Sequence, residues 1–290
     1  MKTIKNILRL LAPSFLIRQY QLLRSERKKR QLLRLPIHNI QPSGDGIKFI
    51  VTLTSYGTRL LNTTPYAIMT LLQQSVQPDR IVLWLTNGTT IPDPLKELMQ
   101  YGLEIKFCDE MRSYKKLIPS LIEFPNDVLI TADDDLYYPF DWFEKMKTAY
   151  FSDPSKIYCH RVHEICFDEN NNLKPYIDWR FAIKKTQNTH RIFPTNGSGT
   201  IYPPKSFNSI VLNRDEFTEL APFADDIWFW AMAKLKHKEY AIIKGGYTVP
   251  FPIDPINESQ GLADTNLGEG GNDKQLKAVL NRFPEILNSL

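Results

Sequence analysis

Apolar segments that fit β-strands alternate with segments that fit helices over residues 48–152, and this alternation restricts the folds open to the chain. The strand-like segments are 48–54, 80–85, 104–107 and 127–131, and the helix-like segments are 65–74, 94–101, 116–124 and 142–151. Strands and helices at these spacings are typical of βαβ units with parallel strands and right-handed crossovers. The sequence therefore predicts an α/β fold with a mostly parallel central sheet.

Beyond Pro139 the alternation becomes less regular. Residues 156–167 and 176–184 are predicted as strands on either side of a turn, and residues 225–235 as a helix. The chain has 290 residues, enough to bury the core of one large domain, and the segment from residue 250 onwards is rich in Pro, Gly and Asn.

The first 35 residues are strongly basic. They carry ten Lys or Arg and the single acid Glu26, so the arm has a net charge of +9 and the remainder of the chain −5. Arg9, Pro13 and Arg18 interrupt every apolar run that might span a bilayer, and a signal peptide is only weakly supported. The pattern favours a basic amphipathic helix lying on anionic lipid, with a solvated basic tail as the alternative. Nucleic acid is not expected as a partner, because the rest of the chain is acidic.

Three consecutive acids, Asp133, Asp134 and Asp135, follow the apolar strand at 127–131. Like charges at a strand end repel one another, so they need a compensating charge, and carboxylate oxygens suit Mg²⁺ or Mn²⁺. The alternatives are a solvated loop or a helix N-cap cluster. A haloacid-dehalogenase motif is disfavoured, since Tyr137 stands where that motif needs Thr or Val.

Together these segments resemble the nucleotide-binding half of glycosyltransferase A-fold enzymes. The resemblance covers about residues 48–235 and rests on 71–75 (LLQQS), 78–83 (PDRIVL) and the three acids. It implies that Asp133 and Asp135 hold a metal on the diphosphate of a nucleotide-sugar, with Asp134 near the donor sugar. Family 2 members carry acids at the end of the second strand, where this chain has Thr86-Asn87-Gly88. A related bacterial polysaccharide or lipopolysaccharide transferase family therefore fits better.

Further candidate residues follow the first strand and precede the third helix. Thr54, Ser55, Tyr56 and Arg59 follow the first strand, where Tyr56 would stack on the base and Arg59 would pair with phosphate. Lys115 and Lys116 would meet the diphosphate at a helix entrance. The alternatives are a simple βα turn and surface lysines.

The acceptor side is expected around a second acidic motif. Asp226, with Asp225 as second choice, would take the proton of the attacking hydroxyl; helix capping by these acids is the alternative. The predicted walls of the sugar site are Trp179, Arg180, Gly197, Ser198 and Gly199. The resemblance also implies a third metal ligand in the tail, where an oxygen of Asn272 or Asp273 would serve, with Asn272 preferred; a helix N-cap is the alternative for this segment.

The resulting hypothesis is a metal-dependent glycosyltransferase that moves a sugar from a nucleotide-diphosphate sugar to a hydroxyl of a cell-surface glycan or lipid-linked acceptor. Inversion is favoured and retention stays open. The alternatives are a sugar nucleotidyltransferase and a non-catalytic glycan-binding or assembly protein. The expected organisation is a basic arm (1–35), a linker (36–46), a glycosyltransferase A-type catalytic domain (47–250) and a tail that closes the site (251–290). Three cysteines without a CxxC pair favour a reducing compartment, hence the cytoplasmic face of the cell membrane.

Overall fold

The computed structural model describes residues 14–41, 46–249, 251–255 and 270–290. Its strands are β1 (Phe49–Thr54), β2 (Arg80–Thr86), β3 (Leu103–Cys108), β4 (Val128–Thr131), β5 (Ile157–Cys159), β6 (Val162–Glu164), β7 (Ile192–Pro194), β8 (Thr200–Tyr202) and β9 (Tyr240–Ile242). Seven of them form one sheet in the order β3-β2-β1-β4-β8-β5-β9, while β6 and β7 pair separately. Within the large sheet only β8 runs antiparallel to its neighbours. The predicted α/β class with a mostly parallel sheet is confirmed.

Helices cover both faces of this sheet. They are α1 (Ser14–Leu32), α2 (Arg59–Asn62), α3 (Thr64–Leu72), α4 (Asp93–Met99), α5 (Ile118–Glu123), α6 (Trp142–Ser152), α7 (Arg214–Leu220), α8 (Asp225–Leu235) and α9 (Gly271–Arg282). Successive β1 residues face opposite sides: Ile50 packs into the core under α8, and Val51 into the core under α3 and α6. Strands buried on both faces read as continuous apolar runs, which is why β1, β2 and β4 were recognisable in the sequence.

Of the two strands predicted after Pro139, the one at 156–167 is divided into β5 and β6, and the one at 176–184 is wrong. The chain leaves the large sheet after Cys159, bends at His160 and Arg161, and then pairs as β6 with β7 in the small sheet. The predicted strand at 176–184 begins instead with a 3-10 helix, Tyr176–Asp178. Packing overrides the strand pattern there, because Tyr176 and Trp179 are both buried in an aromatic cluster with Phe193.

The basic helix α1 packs against the domain. Ser25 is 2% exposed and donates a hydrogen bond to the carbonyl of Ile253. The Gln73 side chain donates to the carbonyls of Leu32 and Leu35, each at 3.3 Å. None of the helices in the described ranges is long and apolar enough to cross a membrane. The start of the arm (1–13), the centre of the linker (42–45) and residues 256–269 of the predicted tail lie outside the described residues.

Candidate functional site

A cavity of about 700 Å³ lies beyond the carboxyl ends of β1 and β4. This edge is where open α/β sheets bind ligands, because the loops that leave parallel strands meet there. Thirteen of the predicted site residues line the cavity: Thr54, Tyr56, Arg59, Lys115, Lys116, Asp133, Asp134, Asp135, Gly197, Ser198, Asp225, Asp226 and Asn272. The structure therefore brings the acid triplet (Asp133–Asp135) and the acid pair (Asp225 and Asp226) to one site.

The acid triplet is held by two cations of the chain itself. Arg59 Nη1 lies 2.9 Å from Asp134 Oδ1 and 2.8 Å from Asp135 Oδ2. Burial alone would lower the pKa of Arg59, but the charges of Asp134 and Asp135 outweigh it and raise the pKa above its usual range. Arg59 is therefore a permanent cation just beyond the carboxyl end of β1.

Lys116 joins the two acidic groups. Its Nζ lies 2.9 Å from Asp133 Oδ1 and 3.3 Å from Asp225 Oδ2, and its side chain is 9% exposed. Burial would lower the pKa of Lys116, but Asp133, Asp225 and Asp226 together raise it well above its ordinary value. A 3-10 helix, Arg112–Lys116, places this lysine between the carboxyl end of β1 and the amino end of α8.

The oxygen donors of this site suit a divalent cation in their chemistry. No group of three His, Cys, Asp or Glu side chains in the described ranges is arranged to hold a metal ion. The five carboxylates of the triplet and the pair nevertheless outnumber Arg59 and Lys116, and the buried Asp134 Oδ2 makes no hydrogen bond to described residues. Hard oxygen donors with excess negative charge fit Mg²⁺ or Mn²⁺ in chemistry. A cation held by Asp133 or Asp135 would take over part of the role of Lys116 or Arg59.

A glycine loop closes against the triplet. A Cβ on Gly197 would lie 1.5 Å from Asp133 Oδ2, so only glycine allows this carboxylate to rest on the loop. The Tyr138 hydroxyl accepts from the Asp133 N–H at 2.6 Å and donates to the Gly197 carbonyl at 2.8 Å. The loop and the triplet are thus fixed to each other.

The acid pair occupies the first turn of α8, after its N-cap residue Ala224. The Asn196 N–H donates to Asp226 Oδ1 at 3.1 Å. Burial first, and then the neighbouring charge of Asp225, raise the pKa of Asp226 to about 7, although Lys116 opposes the shift. Such a carboxylate can gain or lose a proton near neutral pH, which suits a general base.

Four predicted site residues do not line the cavity. Ser55 is buried and hydrogen-bonds Thr64 at 2.7 Å, and Trp179 lies in the core. Arg180 points outward and ion-pairs with Glu164. Gly199 has φ +112° and packs on the indole of Trp142, supporting the loop from behind.

The other lining residues were not predicted as site residues. They include Glu110, Arg112, Arg161, His163, Tyr176, Phe181, Phe193, Thr195 and Phe223. Burial, followed by the nearby charge of Arg161, lowers the pKa of His163 to about 3, so its ring is neutral at physiological pH. The rings of His163 and Phe181 meet edge to face with their centroids 4.3 Å apart, and together with Tyr176 and Phe193 they form the aromatic wall of the cavity.

No protein-family model and no curated protein sequence matches the chain. Among solved structures, a CMP-2-keto-3-deoxy-manno-octonic acid synthetase complexed with CTP is similar to 77% of this chain and 100% of its own, with 9% identity and a TM-score of 0.45. The inositol-1-phosphate CTP transferase from T. maritima gives 11% identity over 82% of this chain and 98% of its own, with a TM-score of 0.44. A mannosyltransferase from Pyrobaculum calidifontis, in complex with GDP-Man and Mn²⁺, gives 16% identity over 48% of this chain and 42% of its own, with a TM-score of 0.32. At these values the likenesses assign neither a family nor an activity.

Proposed function

We propose that this chain is a divalent-cation-dependent glycosyltransferase that uses a nucleotide-diphosphate sugar. The observation that carries the proposal is the joining of the acid triplet and the acid pair in one cavity, with Asp226 poised to exchange a proton near neutral pH. Glycosyl transfer needs both parts: compensation for a leaving diphosphate and a base for the attacking hydroxyl.

The donor would lie on the triplet side of the cavity. Tyr56 is 60% exposed there and offers a ring for stacking on the nucleobase, with the Arg59 guanidinium 5.5 Å from its centroid. Asp133 and Asp135, with Asn272 as third ligand, would hold Mn²⁺ or Mg²⁺, which neutralises the diphosphate charge. Arg59 and Lys116 would then be released towards the phosphate oxygens.

The acceptor would lie between the acid pair and the aromatic wall. Asp226 would take the proton of the acceptor hydroxyl as its oxygen bonds the anomeric carbon and the bond from that carbon to the diphosphate oxygen breaks. The nucleoside diphosphate leaves with that electron pair, and direct displacement of this kind inverts the anomeric centre. Phe181 and Tyr176 provide ring faces and edges for the apolar side of an acceptor sugar, as expected for a cell-surface glycan or a lipid-linked precursor.

A sugar nucleotidyltransferase is the second candidate, and the position of Arg59 favours it. Enzymes of that class place a basic residue directly after the first strand, and Arg59 enters the cavity from the start of α2. The turn after β1 contains only one glycine, Gly57, whereas that class uses a glycine-rich loop. The two reactions break different bonds, since glycosyl transfer releases a nucleoside diphosphate and nucleotidyl transfer releases pyrophosphate.

A thermal-shift screen with Mn²⁺ tests the proposal. Nucleoside diphosphates and nucleotide-sugars should raise the Tm only when the cation is present, and a ligand at about 100 times its Kd adds about 2.7 kcal/mol. Asp133→Asn should abolish this cation-dependent stabilisation, whereas Asp215→Asn, an exposed acid on α7, should keep it. A screen in which no nucleotide stabilises the protein with cation would overturn the proposal.

A further inference from the structure

The helix α1 is fixed to the domain by one face only. Ser25 reaches the carbonyl of Ile253 and lies 3.4 Å from the Tyr137 hydroxyl. Leu32 is buried in the hydrophobic core that also contains Ile253, and Lys29 lies over the ring of Tyr66. These contacts come from a single side of the helix, so its other side faces solvent.

The outward side of α1 carries a row of exposed arginines. Tyr20, Leu23, Arg27 and Arg30 follow one another at spacings of three and four, which places them on one helix face, and Arg34 follows in the adjoining turn. Tyr20 is 65% and Leu23 70% exposed. The one acid of the helix, Glu26, is ion-paired with Lys29 at 3.1 Å, so it does not cancel the arginine charges.

We propose that this outward face, defined by Tyr20, Leu23, Arg27, Arg30 and Arg34, is a docking surface for an anionic lipid bilayer. Three exposed arginines with one aromatic and one aliphatic side chain match a plane of anionic headgroups: the charges attract, and the two apolar groups enter the interface. The docking is mainly electrostatic, because the apolar groups are few and the opposite face of α1 is taken up by the protein.

Charge distribution favours a membrane over nucleic acid. Outside the arm the chain has a net charge of −5, so a long polyanion running past α1 would be repelled by the rest of the surface. A bilayer touches one plane and meets only the outward face. Lys2, Lys5 and Arg9 precede the helix in the sequence without any acid, and they add to the same attraction.

The docking surface is mechanically linked to the cavity. The Ile253 carbonyl receives Ser25, and the Ile253 N–H donates to the carbonyl of Asp135 at 2.8 Å. Tyr137 N–H donates in turn to the Phe251 carbonyl at 2.9 Å, so the short segment 251–253 connects α1 to the acid triplet. A bilayer bound to α1 would therefore hold the cavity at a fixed distance and orientation. This inference does not depend on the proposed chemistry.

Vesicle co-sedimentation of the full chain tests the surface without donor, cation or acceptor. We expect binding to vesicles of equal parts phosphatidylglycerol and phosphatidylcholine, little binding to phosphatidylcholine alone, and release by high salt. The triple variant Arg27→Gln, Arg30→Gln, Arg34→Gln should bind on the order of a hundredfold more weakly, since each basic residue near such a surface contributes roughly a fivefold factor.

A matched variant keeps the result specific. Lys184→Gln, Lys185→Gln, Lys205→Gln removes three exposed cations from other loops and should bind vesicles as the unmodified chain does. An unchanged Tm of the arginine variant excludes misfolding as the cause of its loss. Equal vesicle binding by the two triple variants would overturn the proposal, as would equal binding to neutral vesicles or competition by duplex DNA at the same salt concentration. Any of these results would leave the transferase assignment untouched.

Discussion

The acid triplet and the acid pair line the same cavity, but their negative charges are balanced in different ways. Each acid of the triplet contacts a cation: Asp134 and Asp135 contact Arg59, and Asp133 contacts Lys116. In the pair, Asp225 contacts Lys116, while Asp226 receives a backbone N–H and lies beside a second carboxylate. Carboxylates that contact cations suit the binding of a divalent cation, whereas burial and the charge of Asp225 raise the pKa of Asp226 and leave it able to move a proton. The cavity thus has two sides: around the triplet the carboxylates contact cations, and around the pair Asp226 can exchange a proton.

Removing the proton-accepting group should have the largest effect. Asp226→Asn keeps the hydrogen bond geometry but cannot accept a proton, so we expect kcat for transfer to fall by about 10²- to 10⁴-fold with cation-dependent nucleotide binding unchanged. The measurement is turnover together with thermal shift. Glu219→Gln, an exposed change on α7, serves as the control. Full turnover in Asp226→Asn would show that the base is another group.

Removing the cation that joins the two sides should come next. Lys116→Met leaves the buried Asp225 and the half-buried Asp133 near each other without their common partner. Breaking a fully buried ion pair costs about 3–5 kcal/mol, which is the upper bound here because Asp133 is 34% exposed. Chemical denaturation measures the loss of unfolding free energy. Lys115→Met is the matched comparison: its partner Glu110 is 54% exposed and can be solvated, so the cost should be smaller. Equal losses in the two variants would contradict a joining role for Lys116.

The sequence predicted the residues around the acid triplet better than those of the aromatic wall. Tyr56, Arg59 and Asp133 follow strands whose carboxyl ends meet at one edge, so their meeting follows from the alternation of strands and helices. Arg59 pairs with Asp134 and Asp135, which are 75 and 76 positions away, and no sequence pattern predicts a contact over that distance. The sequence analysis therefore expected a metal ion as the compensating charge.

The aromatic wall could not be predicted because tertiary packing places it. Tyr176 is positioned by Asp273, whose carboxylate accepts the Tyr176 N–H at 2.7 Å across 97 residues of chain. Phe181 lies in the cavity because the Ala182 N–H donates to the buried His163 ring at 3.1 Å. Neither contact follows from a local sequence pattern, and the segment 176–184, which holds both rings, was predicted to be a strand. The packing of α1 was hidden too, since the buried Ser25 stands among basic residues in the sequence.

A smaller effect is expected from removing the aromatic ring of Tyr56, which lies beside the acid triplet. Tyr56→Ala removes an exposed surface for base stacking, and stacking on an aromatic side chain is worth about 1–3 kcal/mol per base. The Kd of the nucleotide should rise accordingly, while Tyr56→Phe should bind as the unmodified chain does. Isothermal titration with nucleoside diphosphate and Mn²⁺ measures this. An unchanged Kd in Tyr56→Ala would place the base elsewhere.

The pH dependence of stability tests the raised pKa of Asp226 independently of any ligand. The pKa of Asp226 is about 7 in the folded protein and 3.8 in the unfolded chain, so the folded state holds an extra proton between these values. Its contribution to stability is present at low pH and is lost as the pH rises towards 7. Asp226→Asn, which stays neutral, should lack this decline and have the higher Tm at pH 8. Parallel Tm profiles of the two proteins would contradict the raised pKa.

The most direct measurement of the proposed chemistry is the identity of the phosphorus product. A nucleotide that binds with Mn²⁺ is incubated with the protein and acceptor candidates, and the products are followed by ³¹P NMR. We predict acceptor-dependent release of a nucleoside diphosphate, which Asp226→Asn abolishes. Release of pyrophosphate from a nucleoside triphosphate and a sugar phosphate would contradict the glycosyltransferase assignment and establish nucleotidyl transfer in its place.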